Sequence, residues 1–202
     1  MTPQDSWGLG TKGKLTRFEE SMLPHMDAAY NLARWLTGND SDAQDVVQEA
    51  FLRAFKFFGG FRGDNSRSWL LQIVRNTFYT WAEKNRREET WADPDDLIES
   101  LPSAAVAPDV RMVQEADSEA VRQAIESLPV EFREVLVMRE LEGMAYKEIA
   151  YVADLPLGTV MSRLARGRLQ LRNSLIERMG KNAGSRDDSQ RTRVTQPRPQ
   201  KD

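Results

Sequence analysis

The sequence predicts an all-α protein of two small helical domains joined by an acidic, flexible linker, the C-terminal domain being a helix-turn-helix. Apolar residues recur at three- and four-residue steps across 17–90 and again across 118–180, the period of helices that bury one face. No segment alternates apolar and polar residues as a half-buried strand does, and no fixed-period repeat is present. Between the two blocks, 91–117 changes composition. Asp93, Asp95, Asp96, Glu99, Asp109, Glu115 and Asp117 face only Arg111, and Pro94, Pro102 and Pro108 interrupt regular structure. Such a segment reads as a linker, acidic and partly extended. The ends, 1–16 and 181–202, carry few apolar residues and read as a flexible N-terminus and a disordered tail.

In the first block, Leu23, Met26, Ala29, Tyr30, Ala33 and Leu36 mark an amphipathic helix, with Pro24 giving a kink or a fresh start. Gly38 and Asn39 end it. Ser41 with Gln44 is a capping-box pattern for a second helix, which carries Val47, Ala50, Phe51, Ala54, Phe55 and Phe58 and stops at Gly59-Gly60. After a polar loop, Asn65 or Ser66 caps a third helix running to about Arg86, with Leu70, Ile73, Val74, Thr77, Phe78 and Trp81 along it. In the second block, Ala120, Val121, Ala124, Ile125 and Leu128 form one helix. Pro129 opens the next, with Phe132, Val135, Leu136 and Leu141, and Gly143 ends it. A short helix over 146–153, a tight connection over 154–158 and a long helix from Thr159 to about Met179 complete the chain.

Composition closes several function classes. The 202 residues contain no cysteine and one histidine, His25. Disulfides, thiolate zinc sites, iron–sulfur clusters and cysteine nucleophiles are excluded, and a multi-histidine metal site with them. No catalytic constellation, metal site or cofactor is expected, and the chain does not read as an enzyme. No run approaches the length that spans a bilayer, and the start has no apolar signal core. The expectation is a cytoplasmic protein without membrane insertion. The formal charge of −3, from 28 Lys and Arg against 31 Asp and Glu, argues at face value against nucleic acid. It averages unlike parts: 155–181 holds Arg163, Arg166, Arg168, Arg172, Arg178 and Lys181 against Glu177 alone.

Three constellations carry chemistry. In the first, the short helix, turn and long basic helix make a helix-turn-helix. Its second helix presents Thr159, Ser162, Arg163, Arg166 and Arg168, with first turns suited to base edges and later cations to phosphates. A solvated basic face is the alternative. In the second, Asp42, Asp45, Gln48, Glu49, Leu52 and Arg53 lie opposite the Phe stripe; the carboxylates could hold a hard cation or work as an acid/base pair, act as dipole partners on a solvated face, or form a docking face anchored by exposed Leu52. In the third, Phe61, Arg62, Arg67, Trp69, Arg75, Asn76, Tyr79 and Trp81 interleave rings and cations, the combination that stacks unpaired bases and holds their phosphates. Here too some rings serve only the core.

These blocks, in this order, resemble the extracytoplasmic-function sigma factors, the small two-domain class of bacterial RNA polymerase sigma subunit. The likeness rests on 42–54, on Phe61-Arg62-Gly63-Asp64 with Trp69 and Val74-Arg75-Asn76, and on Ser127-Leu128-Pro129, 141–150 and 158–168. It implies that 17–90 binds core polymerase and melts the minus-ten element, while 118–180 reads the minus-thirty-five element. Asp45, Gln48, Glu49 and Leu52 would contact core. Phe61, Arg62, Asp64, Asn65, Trp69 and Asn76 would hold the flipped minus-ten base, and Thr159, Ser162, Arg163, Arg166 and Arg168 the minus-thirty-five element. The partners implied are the largest-subunit clamp and the flap of core RNA polymerase, promoter DNA and an anti-sigma factor. Other readings are a helix-turn-helix regulator that binds DNA alone, or a helical adaptor that binds only proteins.

Overall fold

The computed structural model describes residues 5–62, 65–91 and 111–191. Among them all regular structure is helical. The first block comprises α1 (Asp5–Met22), a 3-10 turn (Leu23–His25), α2 (Met26–Thr37), α3 (Asp40–Phe57) with a 3-10 turn at Phe58–Gly60, and α4 (Ser66–Trp91). The second comprises α5 (Arg111–Glu126), α6 (Val130–Leu136), α7 (Tyr146–Ala153) and α8 (Leu157–Arg191). A π-helical turn, Val137–Leu141, extends α6.

Local chemistry explains most boundaries. Pro24 opens the 3-10 turn. Gly38, at φ +87°, turns the chain out of α2, a left-handed conformation that glycine adopts without strain. Asn39, not Ser41, caps α3: its backbone is extended and its side chain accepts the Asp42 N–H at 2.9 Å. Ser41 is already helical, so its hydroxyl is not the cap. Asn65 caps α4 in the same way, accepting the Ser68 N–H at 2.9 Å. Thr159 does not open α8. The helix begins at Leu157, and the Pro156 carbonyl receives the N–H groups of both Thr159 and Val160.

Both ends are more helical than composition suggests. Helix α1 begins at Asp5, inside the stretch read as loose, and buried Phe18 and Met22 anchor its second half. Helix α8 runs to Arg191, into the stretch read as disordered. Lack of apolar residues signals lack of packing, whereas Lys, Arg, Gln and Ala still favour helix. Helices α4 and α5 likewise reach into the ends of the acidic segment, whose remainder, 92–110, lies outside the described residues.

Leu32, Leu36, Val46, Leu70, Leu71 and Val74 fill the space between α2, α3 and α4. Alanines 43, 50 and 54, all fully buried, keep α3 close to its neighbours. Phe18 adds an edge-on contact to each of Phe51, Phe55 and Phe58. In the second block Leu136, Met138, Met144, Ile149, Val160 and Leu164 are buried. Helix α8 meets α6 at buried Gly167, where an added Cβ would lie 3.4 Å from Phe132 and Leu136. The blocks also pack on one another, α4 against α7 and α2 against α6.

Candidate nucleic-acid interface

Helix α8 sorts its predicted DNA-contacting residues into two kinds. Ser162 and Arg166, one turn apart, are exposed, with Met161 and Ala165 beside them. Arg166 makes no ion pair with any described residue, and the Ser162 hydroxyl donates back to the Thr159 carbonyl at 3.0 Å. Thr159 is half-buried. Arg163 turns inward, its Nη1 3.0 Å from Glu134, a fully buried carboxylate. Arg168 reaches back to Glu140 at 2.6 Å, and that hydrogen bond, with a lesser one to Tyr146, holds its guanidinium above the usual pKa. A free edge of Met161, Ser162, Ala165 and Arg166 therefore faces outward, with Arg163 committed to the frame beneath it and Arg168 exposed beside it in a surface ion pair.

Three side chains from two helices converge on buried Glu134. Arg75 donates Nε and Nη2 to it at 2.7 and 3.2 Å, Tyr79 donates its hydroxyl at 3.0 Å, and Arg163 completes the set. Burial and the Glu134 charge push the Tyr79 hydroxyl up to about 12, so it remains a donor. Burial opposes the charge on Arg75, but the Glu134 hydrogen bonds and charge outweigh it and hold the guanidinium above its ordinary value. Nothing in the local sequence marks Glu134, because its partners lie 29 to 59 residues away.

The ring-and-cation set gathers where α3 hands over to α4. Phe58 stacks on Phe61, and the Phe61 and Trp69 rings are 4.9 Å apart. With Arg62, Asn65 and Ser68 they line one side of a cleft of ≈ 530 Å³; Lys147, Glu148 and Tyr151 of α7 line the other. The buried Ser68 hydroxyl borders this cleft with no hydrogen-bond partner among the described residues. Asp64 lies outside the described residues. Asn76 is exposed about two turns further along α4 and does not line the cleft. Phe78, on the same helix, is buried in the core.

The acidic face of α3 is open. Asp45, Gln48 and Glu49 are exposed, and Leu52 is 62% exposed. Arg53 pairs with Glu49 at 2.7 Å. Phe57, 59% exposed, joins Glu49, Leu52, Arg53 and Lys56 around a shallow depression. Its exposure was legible only as a ring off the helical stripe of Phe51, Phe55 and Phe58. Among the described residues no His, Asp and Glu cluster could hold a metal. No described helix is long and apolar enough to cross a membrane.

Comparison with known proteins places this architecture. Residues 22–88 match the model of sigma-70 region 2, and residues 118–171 that of sigma-70 region 4. Relatives include the ECF RNA polymerase sigma factor SigE of Mycolicibacterium smegmatis, 32% identical over 87% of this chain and 68% of the relative. The ECF RNA polymerase sigma-E factor of Escherichia coli is 36% identical over 66% of this chain and 74% of the relative. The chain belongs to the ECF sigma factors.

It is thus an alternative sigma factor, directing RNA polymerase to specific promoters at initiation. Region 2 spans the end of α1 through α4, with the acidic α3 face and the aromatic cleft. Region 4 contains the helix-turn-helix of α7 and α8. Among solved structures, the sigma factor RpoE of Bartonella quintana, determined with the anti-sigma factor NepR, superposes with TM-score 0.65 at 28% identity. That match covers 79% of this chain and 96% of the other. CnrH, determined with the cytosolic domain of CnrY, shares the fold with TM-score 0.57 at 23% identity, over 84% and 94% of the two chains.

Proposed function

We propose that three separate faces of this sigma factor divide the work of initiation. The outer face of α3, with Asp45, Gln48, Glu49 and Leu52, docks on the clamp of core RNA polymerase. The aromatic cleft, with Phe61, Arg62, Asp64, Asn65 and Trp69, captures the flipped minus-ten base, and Asn76 meets the strand further along α4. The outer edge of α8 reads the minus-thirty-five element through Ser162 and Arg166. Thr159, Arg163 and Arg168 orient that helix, Arg163 and Arg168 through their carboxylate partners.

Exposure is the observation that carries this division. Leu52 is an apolar side chain held open among charges, which a solvated face does not need. Arg166 is an exposed cation without a partner among the described residues, on the outer edge of a helix-turn-helix, where a bidentate contact to guanine is available. The Phe61–Trp69 pair offers ring faces beside the exposed Arg62 guanidinium, the means to stack a base and hold its phosphate. Melting is then differential binding: unstacking costs a few kcal/mol, and these contacts offset it.

The protein acts in the cytoplasm as a binding subunit with no catalysis of its own, and an anti-sigma factor restrains it, as the RpoE–NepR neighbour suggests. Transcription in vitro with core enzyme and a promoter library tests the reading. Trp69→Ala should leave core binding intact and prevent open-complex formation. Normal permanganate reactivity of the melted strand in that variant would refute the cleft assignment.

A further inference from the structure

The cleft at the α3–α4 junction carries uncommitted positive charge on both of its walls. Phe61, Arg62, Asn65 and Trp69 line one wall, and Lys147, Glu148 and Tyr151 of α7 the other. Its volume of ≈ 530 Å³ is that of a site for a small organic ligand. Phe61 and Trp69 are half-buried with their rings tilted by 41°, and Tyr151 lies 50% exposed across from them. Aromatic residues on both walls suit a planar aromatic ligand. Arg62 and Lys147 are exposed, and neither pairs with any described residue. Nearby Arg67 and Arg75 are instead committed, to Glu142 and Glu134. An arginine and a lysine left over on opposite walls make a socket for a phosphate that both can reach.

Glu148 supplies the remaining polar edge. Its two carboxylate oxygens accept the Asn65 Nδ2 at 2.7 Å and the Ala145 N–H at 2.8 Å. Each oxygen keeps a further acceptor position. A paired acceptor edge calls for a base with two adjacent donors, and among the nucleobases guanine presents them as N1–H and N2–H. We propose that this cleft binds a free guanine nucleotide. The base enters among Phe61, Trp69 and Tyr151 and donates to Glu148, while Arg62 and Lys147 hold the phosphate from either side. The site goes beyond the minus-ten reading, in which Lys147, Glu148 and Tyr151 have no part. Where the same rings capture the minus-ten base, bound nucleotide and melted strand exclude one another.

Calorimetric titration of the full chain with GMP tests this. GMP should bind one to one. AMP, guanosine and ribose 5-phosphate lack the donor pair, the phosphate and the base in turn, and each should bind about tenfold more weakly or worse. Arg62→Glu and Lys147→Glu should each weaken GMP about tenfold or more, since each removes a charge-assisted contact. Both side chains are exposed and unpaired among the described residues, so thermal melting of the two variants should match wild type. Glu148→Gln keeps an acceptor for the Ala145 N–H and should erase the preference for GMP over AMP. No GMP binding by the unaltered chain overturns the proposal. So does equal affinity for GMP and AMP, or for GMP and ribose 5-phosphate, or full affinity in Lys147→Glu. The titration uses neither DNA nor polymerase, so its failure leaves the minus-ten reading to be decided by open-complex formation.

Discussion

Arg163 and Arg166 lie three residues apart on α8 and look equivalent as sequence, yet their substitutions should separate cleanly. Arg163→Ala removes one cation from a carboxylate with no solvent access. Loss of every partner of a buried ion costs about 3–5 kcal/mol, but Arg75 and Tyr79 still hold Glu134 in this packing. The relevant figure is that of one hydrogen bond between charged groups, about 1.5–3 kcal/mol. Arg166→Ala removes an exposed cation that pairs with no described residue, so its stability cost stays within about 0.5 kcal/mol. Its cost to promoter binding is about 1–3 kcal/mol if the contact is bidentate to guanine, roughly a 5- to 150-fold loss. Urea denaturation of both variants, followed by holoenzyme binding to a minus-thirty-five duplex, reads the two effects. Wild-type stability in Arg163→Ala, or full promoter affinity in Arg166→Ala, refutes the division into frame and reading edge.

Leu52→Asp should abolish co-purification with core polymerase while the melting temperature stays near wild type, since the side chain is 62% exposed; retained association sinks the α3 docking face. At Gly167 a methyl fits at 3.4 Å, so Gly167→Ala should be neutral or gain up to about 1 kcal/mol of helix propensity. Gly167→Leu should cost about 1–3 kcal/mol by overpacking Phe132 and Leu136, and equal stability of the two in urea contradicts the close α6–α8 approach. Burial first, and then the Arg67 charge, lowers the pKa of His25, whose Nε2 lies 2.9 Å from the Ser66 hydroxyl. Its stabilising share is present above the ordinary histidine value of 6.5 and is lost as pH falls through the lowered folded value. The stability of wild type should therefore fall more than that of His25→Gln over that window, and parallel pH profiles would contradict the assigned environment.

How much of this could be read from sequence follows from the range of each interaction. Helical periodicity, Gly38 and Gly143 as left-handed turns, Asn65 as a cap and the helix-turn-helix are local, and all are present. Asn39 and Ser41 are both good capping residues two positions apart, and only the extended backbone at Asn39 decides between them. The π-helical turn at 137–141 left no sequence signal, because apolar spacing over five residues does not distinguish it from α-helix. The inward turn of Arg163 was invisible for a different reason. A basic helix shows its charge in sequence but not which cations are paired, and Glu134 reads as one more acid in an amphipathic helix. The contact between the start of α4 and α7 is the least local feature, since Asn65 and Glu148 are 83 residues apart.

As a sigma factor, this chain acts on promoters through RNA polymerase. Purified chain and core enzyme, assayed together and apart on a promoter library, test it directly. Specific run-off transcripts should come only from the mixture and be lost with Leu52→Asp, and the chain alone should bind DNA weakly. Specific, high-affinity binding to duplex DNA without core, combined with no core-dependent transcripts, would contradict it.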